Sequence, residues 1–232
     1  MPRMERRDFM KFCAASALAA PGAVAADSSP RFYSRARLVD EKGDAVRAKA
    51  IPVNQNLIFN YPFAATPCFL LNLGKPAAAT VRLKTAGNEI YEWKGGIGAA
   101  RSVVAYSAIC AHKLSYPTRD ISFISFRAET SARNPHAAVI HCCSEHSQYD
   151  PAQGAKVVAG PAPQPLAAIL LEHDSSSDEI HAVGTLGGEM FNDFFQKYAF
   201  KLALEHRSPK VPVAGSCVVQ PLANYCKQQV RC

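Results

Sequence analysis

Two short stretches concentrate the residues able to do chemistry. Ile109-Cys110-Ala111-His112-Lys113 sets a cysteine and a histidine two positions apart, and His141-Cys142-Cys143-Ser144-Glu145-His146 sets Cys143 and His146 three apart. Thiolate and imidazole are borderline-soft ligands that suit zinc or iron–sulfur chemistry. A C-x-H pair and a C-x-x-H pair, each on a loop after a strand, supply the donors of a [2Fe–2S] centre with two cysteines on one iron and two histidines on the other. Each loop then gives one ligand to each iron, so the loops must face each other at one end of a β-structure. The candidate ligands are Cys110, His112, Cys143 and His146. The same four residues also make a tetrahedral Cys2His2 zinc site, and either pair alone is a weak signal in a chain with 8 Cys and 7 His.

The elements around these stretches read as strands. Ser102 to Ile109 is β-branched and aromatic, Ala138 to Cys142 is a second run, and the two end at the two motifs. Phe69 to Leu73 is a short apolar run, while Ala78 to Lys84, Glu89 to Lys94 and Ile121 to Arg127 alternate. Leu166 to Glu172 and Glu179 to Leu186 flank the polar stretch 174–178 as a hairpin. Many short strands separated by turn residues predict an all-β sandwich or barrel. One helix is predicted where Phe191, Phe194, Phe195, Tyr198 and Leu202 line a single face. Beyond Arg207 the chain is rich in Pro and Cys and reads as a loop-rich tail.

Residues 1–25 have the grammar of a signal peptide: a basic start, a short apolar middle, and Ala23-Val24-Ala25 before the expected cut. Arg6-Arg7 followed by Asp-Phe-Met-Lys resembles a twin-arginine leader. Residues 26–49 read as an exposed leader. Losing the four basic and two acidic groups of residues 1–25 lowers the formal charge from +7 to +5. The basic residues are scattered, without the block or aromatic interleaving of a nucleic-acid surface. Export would keep disulfides oxidised. Cys217, Cys226 and Cys232 are expected to form structural disulfides, with Cys68 as a further partner, and Cys142 is expected as a buried thiol. His136, His141, His173, His181 and His206 are expected on the surface or in hydrogen bonds.

On these residues the sequence resembles the Rieske proteins, and among them the exported small subunit of arsenite oxidase and its relatives. The likeness is carried by the twin-arginine leader, Tyr61-Pro62 with Pro67-Cys68, the run Val104 to His112, Tyr149-Asp150 with the Gly154 turn, and Ala182-Val183-Gly184. It runs from about residue 50 to 190. It implies an antiparallel β-sandwich with a two-loop cluster-binding end over 50–190, followed by a helix and Cys-containing extension over 191–232. The family commonly joins its two loops by a disulfide. Here Leu114-Ser115-Tyr116 and Ser144-Glu145 stand in those loops, so that bond is absent. The segment from Lys113 to Cys142 is long for the family and predicts an added hairpin. Counting back from Tyr149-Asp150 puts Cys142 at the ligand position and Glu145 at the histidine position, whereas the C-x-x-H spacing selects Cys143 and His146. The spacing is preferred here, because glutamate matches a Rieske iron poorly.

The resemblance implies an extracytoplasmic, periplasmic one-electron carrier with a [2Fe–2S] cluster and no substrate site of its own. It would serve a partner oxidoreductase, such as a molybdenum enzyme, and a c-type cytochrome. A Rieske subunit of a membrane quinol–cytochrome c oxidoreductase, anchored by an uncleaved leader, and a zinc-stabilised binding module are the two alternatives. With Gln148 near the place of a serine hydroxyl, the reading predicts a reduction potential in the lower half of the window of roughly −150 to +300 mV.

Overall fold

The computed structural model describes residues 29–131 and 135–232. The leader proposed for residues 1–25 lies outside the described residues. In chain order the strands are β1 (Arg31–Val39), β2 (Leu57–Asn60), β3 (Pro67–Asn72), β4 (Val81–Lys84), β5 (Ile90–Trp93) and β6 (Val103–Ser107). They continue with β7 (Ile121–Ser122), β8 (Ile124–Arg127), β9 (Val139–Cys142), β10 (Ser147–Asp150) and β11 (Lys156–Ala159). The last are β12 (Ala168–His173), β13 (Ile180–Leu186), β14 (Gly215–Val218), β15 (Gln220–Pro221) and β16 (Gln228–Gln229). Helices α1 (Phe191–Lys197), α2 (Ala199–Glu205) and α3 (Leu222–Tyr225) complete the set. Among the described residues no helix is long and apolar enough to cross a membrane.

The fold is all-β, as the strand pattern predicts. One sheet runs β14-β1-β13-β12-β6-β3-β2-β15, a second runs β11-β10-β9-β8, and β4-β5 and β16-β7 form two small ribbons. The large sheet buries both faces, and the pleat explains how. Phe69 and Leu71 of β3, with Val104 and Tyr106 of β6, enter a core shared with Ile124, Phe126, Ile140, Cys142 and Tyr149 of the second sheet. Cys68, Leu70, Val103 and Ala105 point the other way, into a core with Leu38, Ile51, Ile180 and Cys217. The hairpin expected between the two motifs is β8–β9, paired antiparallel from Ile124↔Cys142 to Arg127↔Val139.

Three expectations change. Beyond Arg207 the chain is more than a loop-rich tail: β14 and β15 form the two edges of the large sheet, and α3 and β16 follow. Residues 31–39 are not an exposed leader: β1 pairs antiparallel with β13 and parallel with β14. Its Ala36 and Leu38 are fully buried, while Arg31, Arg35 and Arg37 reach out to Glu189, Glu172 and Glu179. The exposed arginines mask the alternation of this strand. The single predicted helix is two short ones broken at Tyr198, whose φ of −108° lies outside the helical range. Its predicted apolar ridge holds nonetheless: Phe191, Phe194, Phe195 and Leu202 are buried together with Ile109, Leu114 and Tyr116.

Candidate metal centre

Both motif-bearing loops leave the ends of strands that share the main core. The first follows β6. Its turn is closed by Cys110 N–H to Ser115 C=O at 2.8 Å and Leu114 N–H to Cys110 C=O at 2.9 Å, with Leu114 at φ +61°. The helices brace it from outside. Tyr116 stands edge-on to Phe194 with ring centroids 4.9 Å apart, and Lys197 Nζ donates to the Lys113 carbonyl at 2.6 Å. The second loop is the four-residue turn 143–146 between β9 and β10, in which Ser147↔Cys142, Gln148↔His141 and Tyr149↔Ile140 are paired. Cys143 N–H donates to Phe123 C=O at 2.7 Å, and His146 has φ +59°.

The pleat decides which cysteine faces the first loop. Successive side chains on β9 point to opposite faces, so Ile140 and Cys142 turn into the core with Tyr149 and Cys110. The Cys110 and Cys142 thiols lie close enough in that core to perturb each other. Tyr149 Oη lies 3.2 Å from Cys110 Sγ and accepts from Ala111 N–H at 3.2 Å. The interaction with Cys142 pushes the Cys110 thiol down, against burial, with Tyr149 and the loop backbone adding to it, and the same interaction and burial push Cys142 up. Two buried sulfurs held between two loops are an arrangement that could ligate a metal.

The buried polar atoms without a hydrogen-bond partner include His112 Nδ1 and Ser147 Oγ, and, beside His141, Ser125 Oγ and Gln148 Oε1. His112 sits on the first loop two residues from Cys110. Ser147 is fully buried and stands across the β9–β10 ladder from Cys142. A paired thiol set, an orphaned imidazole nitrogen and an orphaned hydroxyl are the donors a [2Fe–2S] cluster would take up.

The other residues selected by spacing lie elsewhere. Cys143 is joined to Cys232 by a disulfide with Cα atoms 5.7 Å apart, so in this form it has no free thiolate. The His146 ring lies 5.8 Å from that of His141, centroid to centroid. His141 is fully buried, and its ring nitrogens are 3.5 and 3.7 Å from Cys232 Sγ. Burial, with the charges of His146 and Arg127, holds its pKa down to about 4. Cys68, Cys217 and Cys226 are free and buried, so the disulfides expected among them do not form; Cys232 bonds to Cys143 instead.

Sequence reasoning set Cys142 second and missed the roles of Cys232 and Gly160 in this region. The pairing of Cys142 with Cys110 was signalled by the count from Tyr149-Asp150. The partner of Cys143 was signalled only by an odd cysteine total. Gly160, at φ +83°, passes so close to the second loop that a Cβ there would lie 2.5 Å from the His146 carbonyl oxygen and 2.6 Å from Ser147 Cα; only its place in the Gly-Pro-Ala-Pro run hinted at it.

No family model matches this chain. Among solved structures, the chain is similar to the soluble domain of the Rieske protein II (soxF) from Sulfolobus acidocaldarius, with 27% sequence identity, 66% of this chain and 78% of that chain covered, and a TM-score of 0.45.

Proposed function

We propose that this chain is a one-electron carrier that holds a Rieske-type [2Fe–2S] cluster. Cys110 and Cys142 would hold one iron, and His112 and His146 the other. The observation that carries this reading is the sulfur pair: two loops deliver Cys110 and Cys142 into one buried core with Tyr149, whose hydroxyl lies 3.2 Å from Cys110 Sγ. When bound, such a cluster supplies one-electron transfer without an open coordination position for substrate.

The residues around it have definite tasks. The Tyr149 hydroxyl, 3.2 Å from Cys110 Sγ, would balance negative charge on that sulfur. Ser147 Oγ has an unused donor beside Cys142. His112 is half-buried at the tip of the first loop, which gives a partner protein an approach to that side of the site. The turn 143–146 offers two side chains for the fourth position, Glu145 and His146, both exposed. Imidazole suits this iron better than carboxylate, so His146 is the proposed ligand, in a C-x-x-x-H relation to Cys142; its ring, 5.8 Å from that of His141 in this structure, would have to turn toward the first loop to reach that iron.

The partners follow from the resemblance alone. The proposal is an exported, periplasmic subunit that passes electrons between an oxidoreductase of the arsenite-oxidase type and a c-type cytochrome. Variants test the ligand set by visible and electron paramagnetic resonance spectra of the reduced protein. Cys110→Ser, Cys142→Ser, His112→Ala and His146→Ala each remove the cluster signal, while Cys143→Ser and Glu145→Ala keep it. Loss in Cys143→Ser with retention in Cys142→Ser would return the site to the C-x-x-H register, and loss of the signal from the wild-type protein's metal analysis would end the cluster reading.

A further inference from the structure

We propose that His141, Cys143 and Cys232 form a second metal site, distinct from the Cys110–Cys142 pair, that takes a zinc-like divalent cation once the Cys143–Cys232 disulfide is reduced. The three ligand atoms all lie within 4.8 Å of one another. They arrive from three separate elements: His141 from β9, Cys143 from the turn that follows, and Cys232 from the segment after β16. That segment is laid along β7 by parallel pairing, by Val230 N–H to Ser122 C=O at 2.9 Å and by Ser131 Oγ to Cys232 C=O at 3.1 Å. A fully buried imidazole set against a cysteine sulfur, with a second cysteine beside it, is a borderline-soft donor set.

The two sites share no ligand. His141 and Cys142 are neighbours on one strand and so point to opposite faces. Cys142 belongs to the main core with Cys110, and His141 meets Cys232 on the other side.

Opening the site is a two-electron step. A dithiol reductant supplies two electrons and two protons; the S–S bond breaks, two S–H bonds form on Cys143 and Cys232, and the reductant leaves as its own disulfide. The cation then displaces both thiol protons to solvent and forms two metal–sulfur bonds and one bond to His141 nitrogen, with water in the fourth position. Tetrahedral zinc with metal–sulfur bonds of about 2.3 Å sets neighbouring ligands about 3.7 Å apart. One His141 nitrogen would bind, and Nε2, 3.5 Å from Cys232 Sγ, is already near that spacing, while the two sulfurs, bonded to each other in the disulfide, must move apart to reach it.

The test uses the full chain carrying Cys110→Ser and Cys142→Ser, which removes the proposed cluster thiolates and leaves the second site intact. The protein is reduced with a dithiol under anaerobic conditions, freed of reductant, and titrated with Co2+ as a spectroscopic stand-in for zinc. The expected result is one equivalent bound with a sulfur-to-cobalt charge-transfer band, displaced by Zn2+, and no band in the unreduced protein. Cys232→Ala and His141→Ala each weaken binding at least tenfold. Equal binding by reduced and unreduced protein would overturn the proposal, and so would a band undiminished in Cys232→Ala. The oxidised-versus-reduced comparison needs no further substitution, so a variant that misfolds does not decide the outcome. Failure of the cluster reading shows separately, in the iron content and paramagnetic signal of the unsubstituted chain.

Discussion

Replacing Cys232 by serine removes a bond that closes a loop across a sequence separation of 89 residues. Cross-linking at that separation removes unfolded-chain entropy equivalent to about 4.6 kcal/mol at 25 °C, and native disulfide losses fall at about 2–5 kcal/mol. The anchors left to the tail are the two-residue pairing of β16 with β7 and a few hydrogen bonds, each contributing about 1 kcal/mol net. They hold residues 227–232 in place but do not constrain the unfolded chain, so they do not replace the covalent bond. Urea unfolding measures the effect through Trp93, the only tryptophan, which is buried in the main core. With a slope of about 3 kcal/mol per molar urea, the midpoint falls by about 1.5 M at the upper figure. Cys143→Ser lowers it by the same amount, the double variant by no more than either, and a dithiol brings the wild-type protein to the variants' midpoint. A shift under about 0.2 M, or two single variants that differ by more than about 0.5 kcal/mol, would refute the reasoning that one shared bond is at stake.

Three other outcomes follow from named contacts. Tyr149→Phe removes the hydroxyl 3.2 Å from Cys110 Sγ; if about 1 kcal/mol of that hydrogen bond is specific to the more negative, reduced state, the potential falls by about 40 mV in voltammetry. Gly160→Ala drives a methyl into the His146–Ser147 backbone from a φ of +83° and lowers both cluster content and thermal midpoint, the latter by at least several degrees; an unchanged midpoint would show that the loop yields freely. Burial depresses the pKa of His181 and of His206. Their contribution to stability is therefore complete above the ordinary imidazole value of about 6.5 and is lost as pH falls through it toward their lower folded values. His206→Gln should flatten the acid limb of the thermal midpoint against pH.

Local pattern found the central strands, but not β1, β2, β10, β11 or the tail strands β14, β15 and β16, and it was insufficient for the site. Alternation in Ile121 to Arg127 and the polar stretch 174–178 located β8 and the β12–β13 hairpin, because side chains there sort cleanly between core and solvent. It failed at β1, where Arg35 and Arg37 are exposed beside the buried Ala36 and Leu38 and make a strand resemble a leader. At the metal centre, two rules of local sequence disagreed. The C-x-x-H spacing selects Cys143 and His146; the strand pleat, anchored by Tyr149 opposite Ile140, selects Cys142. Spacing describes a turn of assumed length, whereas the pleat fixes a direction, which is why the proposed ligand set follows the pleat. It also brings Tyr149 to Cys110 and Ser147 opposite Cys142. The Tyr149 hydroxyl 3.2 Å from Cys110 Sγ and Ser147 opposite Cys142 would raise the potential of a bound cluster relative to one flanked by Gln148 alone.

The two loops are held from different sides, and this explains how the chain can do without a bond between them. The first loop rests on an aromatic cluster: Tyr116 packs edge-on against Phe194 and Tyr198, Leu114 is buried with them, and Lys197 caps the Lys113 carbonyl. The second has no such apolar support, since residues 144–146 are exposed. It is fixed instead at its base by the β9–β10 ladder, on one flank by the close pass of Gly160, and on the other by the Cys143–Cys232 bond. A disulfide between the loops would constrain both at once. Here each loop has its own brace, and only the brace on the second can be released by reduction. Relaxation after reduction should therefore begin at residues 143–146 and the tail, leaving the turn from Cys110 to Ser115 in place; hydrogen exchange with and without a dithiol would show faster exchange at Cys143 N–H than at Cys110 N–H, and equal acceleration of the two would mean that the loops are mechanically one unit.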